Sequence, residues 1–205
     1  IRCRHCKNYF RRRRTMKLLE DKIKSEGRVA KNGYLSLSGF LNHGIDPAFL
    51  SKLGAEIKRK FDGDAVTKIL TAEAAGIPLA CFTAEKFKTN AVFARKNKRE
   101  ALIGDCWSAK IASYTAGTVY DLVVSKDCIS SDDTVLIVDD FLAGGKETAG
   151  LIEIVRQSGA KLAGVAVAVE KTFKPGGALL RSKGIKLVSL TKISRLSRDI
   201  IEFEK

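Results

Sequence analysis

Two adjacent carboxylates, Asp139 and Asp140, stand just ahead of a small-residue turn formed by Ala143, Gly144, Gly145, Lys146 and Glu147. Of all the stretches in the chain, this one is best suited to hold a reacting ligand. Carboxylates repel a bare phosphate, but they suit sugar hydroxyls or a hydrated Mg²⁺. Glycines let the backbone approach a ligand closely and take φ above zero. Where such a turn opens a helix, the first amides lack internal partners, point outward and, with the helix dipole, favour an anion. Amides for a phosphate beside acceptors for hydroxyls describe a site for a phosphorylated ribose.

The flanking residues say how that site is held. Val135, Leu136, Ile137 and Val138 form an apolar run without polar alternation, which predicts a strand covered on both faces, as in a parallel sheet. Leu151, Ile152 and Val155 have helical spacing, so a helix begins near Thr148. The acids then lie at a strand's carboxyl end, where open α/β sheets bind ligands. The rhythm recurs: a strand over Val66 to Leu70 runs through a tight loop with Ala74, Ala75 and Gly76 into a helix. A strand over Ala91 to Ala94 leads to the basic cluster Arg95, Lys96, Lys98 and Arg99. The segment from Thr118 to Ser125 is another strand, and the run LAGVAVAVEKTF gives a buried one ending in Glu170, Lys171 and Phe173. A helix over GGALLRSKGI and a last strand over KLVSLTKI close the series. Ahead of them, Leu18, Leu19 and Ile23 mark a helix ended by Gly27, Tyr34 to Leu37 a short strand, and residues 47 to 61 an amphipathic helix starting at Pro47. Alternating strands and helices imply a mostly parallel α/β sheet with right-handed crossovers.

Composition bounds the rest. A length of 205 residues allows one domain with a small hood, and 45% hydrophobic residues can bury a core. No apolar run approaches the ~20 residues needed to span a bilayer, so a membrane location is not expected. The net charge of +14 includes seven basic residues and no acid in the first 15 positions, which leaves +7 for the remainder. That balance fits anionic substrates without calling for nucleic acid. Residues 1–15 are read as an extension, with the domain running from Met16 to Lys205. Cys3 and Cys6 form a CxxC around His5, but a zinc ribbon needs a second ligand pair, so no protein metal site is expected. Cys81, Cys106 and Cys128 show no regular spacing and read as reduced thiols of a cytoplasmic protein or as core residues.

The apolar strand, acid pair and phosphate-cradling loop resemble the signature of type I phosphoribosyltransferases, which use phosphoribosyl diphosphate (PRPP). VDDFLAGG, FLNHGIDP, VEKTF and GIKLVSL together resemble the xanthine-using bacterial branch of that family, from about Met16 to about residue 200. The resemblance implies the type I phosphoribosyltransferase fold, α/β with a mostly parallel central sheet flanked by helices. It places the hood mainly in residues 16–50 and the C-terminal end. It further implies xanthine and PRPP as substrates, Mg²⁺ as cofactor and a homodimer. Asp139 and Asp140 would be catalytic, holding the ribose hydroxyls, and Ala143 to Glu147 would bind the 5-phosphate. Leu35, Asn42, Lys171 and Phe173 would bind the base. Ala74, Ala75 and Gly76 would receive pyrophosphate, with Arg95 and Lys96 neutralising it. The weakly periodic stretch from Glu100 to Ser113 would be a flap closing over PRPP, with its far hinge at Ser113, Tyr114 and Thr115.

Two positions depart from the branch: Gly144 stands where Asn is usual, and Glu147 where an uncharged residue is usual. A glutamate beside a phosphate must point away from it or weaken binding. Two other functions share the fold. One is a phosphoribosyltransferase for hypoxanthine, guanine or adenine. The other is a PRPP-sensing purine regulator, which would need a winged-helix domain ahead of Met16, where only the fifteen unpatterned residues stand.

Overall fold

The computed structural model describes residues 17–30, 33–96, 105–113, 118–198 and 200–204. The expected extension over residues 1–15, with Lys98, Arg99, the start of the flap and the hinge residues Tyr114 and Thr115, lies outside them.

A helix over residues 17–26 (α1) opens the described chain. It is followed by the two-residue strands β1 (Arg28–Val29) and β2 (Leu35–Ser36) and a π-helical turn, Ser38–Asn42. Pro47 pre-sets φ for the first turn of α2 (Pro47–Lys60), and the Asp46 carboxylate caps it by accepting from the Phe49 amide at 3.0 Å. Then come β3 (Lys68–Ala72), α3 (Gly76–Phe87), β4 (Asn90–Lys96), β5 (Cys106–Ser113) and β6 (Thr118–Ser125). The series ends with β7 (Thr134–Leu142), α4 (Lys146–Gln157), β8 (Lys161–Lys171), α5 (Gly176–Ser182), β9 (Leu187–Ser197) and β10 (Ile200–Phe203).

The main sheet has eight strands in the order β10-β9-β8-β7-β3-β4-β6-β5. The strands from β9 through β8, β7 and β3 to β4 run parallel, while β10 at one margin and the β6-β5 pair at the other are antiparallel. Each face of the sheet covers its own core. One core joins Leu136, Val138, Ala166 and Ala168 to α1, the β2 region, α2 and α3, with Phe203 and Ile201 packed at its edge. The other joins Val135, Ile137, Val165 and Val167 to α4, β5, β6 and Leu180 of α5. Side chains alternate along a strand, so β7 and β8 serve both cores, which explains the uninterrupted apolar runs.

Several expectations need correction. β3 begins at Lys68 and reaches Ala72, two residues beyond the expected end. β4 extends through Arg95 and Lys96, two residues beyond the expected end, which are therefore strand residues on opposite faces. Cys106 to Ser113, within the stretch expected to be the flap and only weakly periodic in sequence, forms a strand paired antiparallel to β6 along its whole length. KLVSLTKI is not terminal, because β10 folds back onto β9.

Candidate active site

β7 ends in Asp139, Asp140, Phe141 and Leu142, and the two neighbouring carboxyl groups share hydrogen bonds while their other contacts differ. Asp139 is 7% exposed and lines a cleft of about 420 Å³ with Ile111, Tyr120, Phe141 and the 142–147 loop. Asp140 faces the hood, where its Oδ2 accepts from Asn42 Nδ2 at 2.7 Å. Burial, and then the Asp140 charge, push the Asp139 carboxyl well above the ordinary carboxylate range. Burial also raises Asp140, against the opposing pull of its hydrogen bonds with Asp139 and Asn42.

The cradle loop takes its shape from glycine. Gly145 has φ +75°, and a Cβ there would stand 3.0 Å from Gly176 Cα. Gly176 in turn donates its amide to Ala143 O at 2.9 Å, which ties the loop to the start of α5. Gly144 faces open space, so the Asn usual in the resembling branch would fit there. Lys146 Nζ donates to Ala112 O at 2.9 Å, reaching across to β5. Glu147 lines this cleft, and its carboxylate is engaged by protein groups: its Oε1 lies 2.7 Å from Lys96 Nζ and accepts from Tyr120 Oη at 2.5 Å. The carboxylate expected to trouble the phosphate site is thus neutralised by one of the lysines expected to serve pyrophosphate. Burial and this bond raise the Tyr120 phenol.

On the other side of the acids, Gly76 opens α3 directly against Asp139, and a Cβ there would approach Asp139 Oδ1 to 2.7 Å. The loop over Ala74 and Ala75 follows a cis Glu73–Ala74 peptide and is fixed to β4, the Glu73 amide donating to Ala94 O at 3.0 Å. The sequence places this loop beside the acid pair only if β3 and β7 are neighbours, and they are.

Of the residues read as base-binding, two stand near Asp140, namely Asn42 and Lys171. Asn42 accepts the Leu37 amide at 2.9 Å while donating to Asp140, so it locks the π-helical turn onto the acid pair. Lys171, half-buried at the end of β8, has its ammonium 5.3 Å from the Phe141 ring centroid and 5.9 Å from that of Tyr34. Burial and then Lys174 lower its pKa. Leu35 is 1% exposed, packed inside the hood core, and Phe173 turns outward, 45% exposed beside Lys174. Phe141 and Tyr34 are the rings beside Lys171, and sequence reading missed both. Phe141 carried a signal, since it follows the acids directly on the same strand. Glu170, 1% exposed, receives both Arg181 guanidinium nitrogens at 2.7 and 2.6 Å and the Ser189 hydroxyl, and so fixes the strand end that presents Lys171.

Comparison with known proteins gives the family. No family model matches the chain. The chain is 44% identical over 188 residues to the xanthine phosphoribosyltransferase of Ruminiclostridium cellulolyticum, covering 92% of this chain and 99% of that protein. It is 43% identical to that of Moorella thermoacetica, covering 92% of this chain and 96% of the relative. Among solved structures, adenine phosphoribosyltransferase from Rhodothermus marinus superposes with a TM-score of 0.72 at 20% identity, covering 86% of this chain and 99% of that one. The enzyme from Giardia lamblia complexed with 9-deazaadenine gives 0.68 at 24% identity, covering 79% and 87%. These two show the type I phosphoribosyltransferase fold. With a strand-end acid pair, a glycine-shaped cradle and relatives of this identity over nearly its whole described length, the chain belongs to the xanthine phosphoribosyltransferase family.

Proposed function

We infer that the chain transfers the 5-phosphoribosyl group of PRPP to N9 of xanthine, releasing pyrophosphate and forming xanthosine 5′-monophosphate, a pentosyl transfer of purine salvage. The observation that carries this reading is the acid pair at the end of β7: Asp139 lines the cradle cleft, and Asp140 accepts a hydrogen bond from Asn42. A ribose lying across the end of β7 would offer hydroxyls to the carboxylates, its 5-phosphate to the amides of Ala143 to Glu147, and its C1 toward the hood.

In the reaction, the bond from C1 to the pyrophosphate oxygen breaks and its electron pair leaves with pyrophosphate. The N9 lone pair then forms the new bond to C1, and the base gives up one proton. Bond breaking runs ahead of attack and leaves an oxocarbenium-like sugar, so positioning and electrostatics carry the catalysis. The Asp139 and Asp140 carboxylates hold the hydroxyls and favour positive charge on the sugar. Amides around Ala74, Ala75 and Gly76 receive the pyrophosphate. Lys171 donates to an oxopurine carbonyl, Phe141 and Tyr34 wall the base, and Asn42 orients it from the hood. The hood in this reading is mainly residues 16–50 with the C-terminal end.

Among the described residues no group of three His, Cys, Asp or Glu side chains converges to hold a metal. The acid pair fits a hydrated Mg²⁺ carried on the diphosphate, which would supply charge for the leaving group. A cytoplasmic homodimer belongs to the same reading and is supported by the resemblance. No helix among the described residues is long and apolar enough to cross a membrane.

The test is nucleotide formation from PRPP and Mg²⁺ with xanthine, hypoxanthine, guanine and adenine in parallel. Xanthine should give the highest kcat/KM. Preference for adenine would overturn the base assignment, and no nucleotide from any base would overturn the reaction.

A further inference from the structure

Glu147 occupies the second position of α4, in the turn whose amides face the proposed 5-phosphate, and it lines the same cleft as Asp139. A carboxylate there opposes the attraction of a helix N-terminus for an anion. The chain meets that charge with Lys96 from β4, whose ammonium sits 2.7 Å from Glu147 Oε1, both side chains being about two-thirds shielded at 37% and 35% exposure. The lysine is bracketed on two further sides. Its backbone amide donates to Glu73 Oε1 at 2.5 Å, and its ammonium lies 5.6 Å from the Tyr120 ring centroid. Tyr120 also donates its hydroxyl to Glu147 at 2.5 Å, so β4, β6 and the cradle loop meet at one carboxylate.

We propose that Lys96 is a charge-compensating positioning residue: it supports PRPP binding by neutralising Glu147 at the cradle, and not by touching the pyrophosphate. Were its ammonium to leave Glu147 for a ligand oxygen, it would expose a carboxylate as it contributed a cation, and the site would gain no net positive charge. Arg95, its neighbour, points to the other face of the sheet and cannot take over at Glu147. The inference rests on the reading of this cleft as the PRPP site.

The experiment measures the dissociation constant of PRPP with Mg²⁺ by titration calorimetry for the parent protein, Lys96→Gln, Glu147→Gln, the double variant and Lys96→Arg. An uncompensated like charge beside the phosphate in a partly shielded site is worth roughly a five- to tenfold change in affinity. Lys96→Gln should therefore weaken PRPP binding by about that factor at low salt, and Lys96→Arg, which keeps the charge, should recover most of it. In the Glu147→Gln background, loss of Lys96 should change the constant by less than about twofold. Near 0.5 M NaCl the ratio of Lys96→Gln to parent should fall toward one, since screening acts over a few ångströms at such ionic strength. A double variant as weak as Lys96→Gln alone would show that the lysine touches the ligand directly and would overturn the proposal. So would a Lys96→Gln protein that binds like the parent. Binding is read without turnover, so a parent that binds PRPP but ribosylates no purine refutes the proposed reaction and leaves this comparison decisive. A parent that fails to bind PRPP overturns both.

Discussion

Gly145→Ala tests whether the cradle depends on a left-handed residue packed against α5. Gly145 has φ +75°, where a side chain costs about 1–2 kcal/mol. The new Cβ would also stand 3.0 Å from Gly176 Cα, tighter than ordinary van der Waals contact, so backbone on one side or the other must yield. Gly184 supplies the control, because it has φ +71° but open space around it and lies beyond α5. Gly184→Ala carries the conformational cost alone. For a chain of this length about 1 kcal/mol corresponds to roughly 2–4 °C in Tm, so both variants should melt some 2–8 °C below the parent. Only Gly145→Ala should weaken PRPP, by about tenfold, the equivalent of about 1.4 kcal/mol, as the phosphate-facing amides shift. Calorimetric titration of PRPP with Mg²⁺ beside thermal melts separates the two effects. Equal loss of PRPP affinity in both variants, or none in Gly145→Ala, would refute the reasoning.

Further outcomes follow from the remaining contacts. Asp140→Asn should lose most turnover, and its residual kcat/KM should keep an acid limb moved to lower pH. The Asp140 charge is one of the causes holding the Asp139 carboxyl above its usual range, so removing it lets Asp139 ionise earlier; a pH profile checks this, and an unmoved limb contradicts it. Lys171→Ala should mainly raise KM for xanthine. In the parent, xanthine affinity should fall with rising pH from below the free-lysine value of 10.5, since burial lowers this ammonium. Steady-state kinetics against pH reads both. Arg181→Ala should destabilise the fold by about 2–3 kcal/mol in denaturant titrations, because it leaves a buried carboxylate with a single side-chain partner, the Ser189 hydroxyl. Burial alone would raise Glu170, but Arg181 and Ser189 outweigh it and hold it below 4.5, so this stabilisation is present above that pH and is lost as pH falls through the depressed value. The parent should lose stability on acidification more steeply than Arg181→Ala.

The sequence disclosed the parts of the fold whose signals are local. The unbroken apolar runs of β7 and β8 announced strands buried on both sides, and the glycines after the acids announced the turn into α4. β5 escaped, since CWSAKIAS alternates only weakly and its strand character comes from pairing with β6. The neutralised Glu147 was out of reach for the same reason, because Lys96 and Tyr120 arrive from two other strands whose adjacency no local pattern encodes. Leu35 was placed by resemblance and Phe173 by the stacking capacity of its ring, and tertiary packing turned one inward and the other out.

Because neighbouring side chains on β7 serve different cores, this strand joins two separately packed halves of the molecule. Under the proposed roles, substitutions in the hood should retune which purine is accepted without disturbing the cradle. A single residue inserted or deleted within β7 would have the opposite consequence, exchanging the faces of the side chains beyond it at once, and so the spacing of this strand tolerates far less drift than either half that it connects.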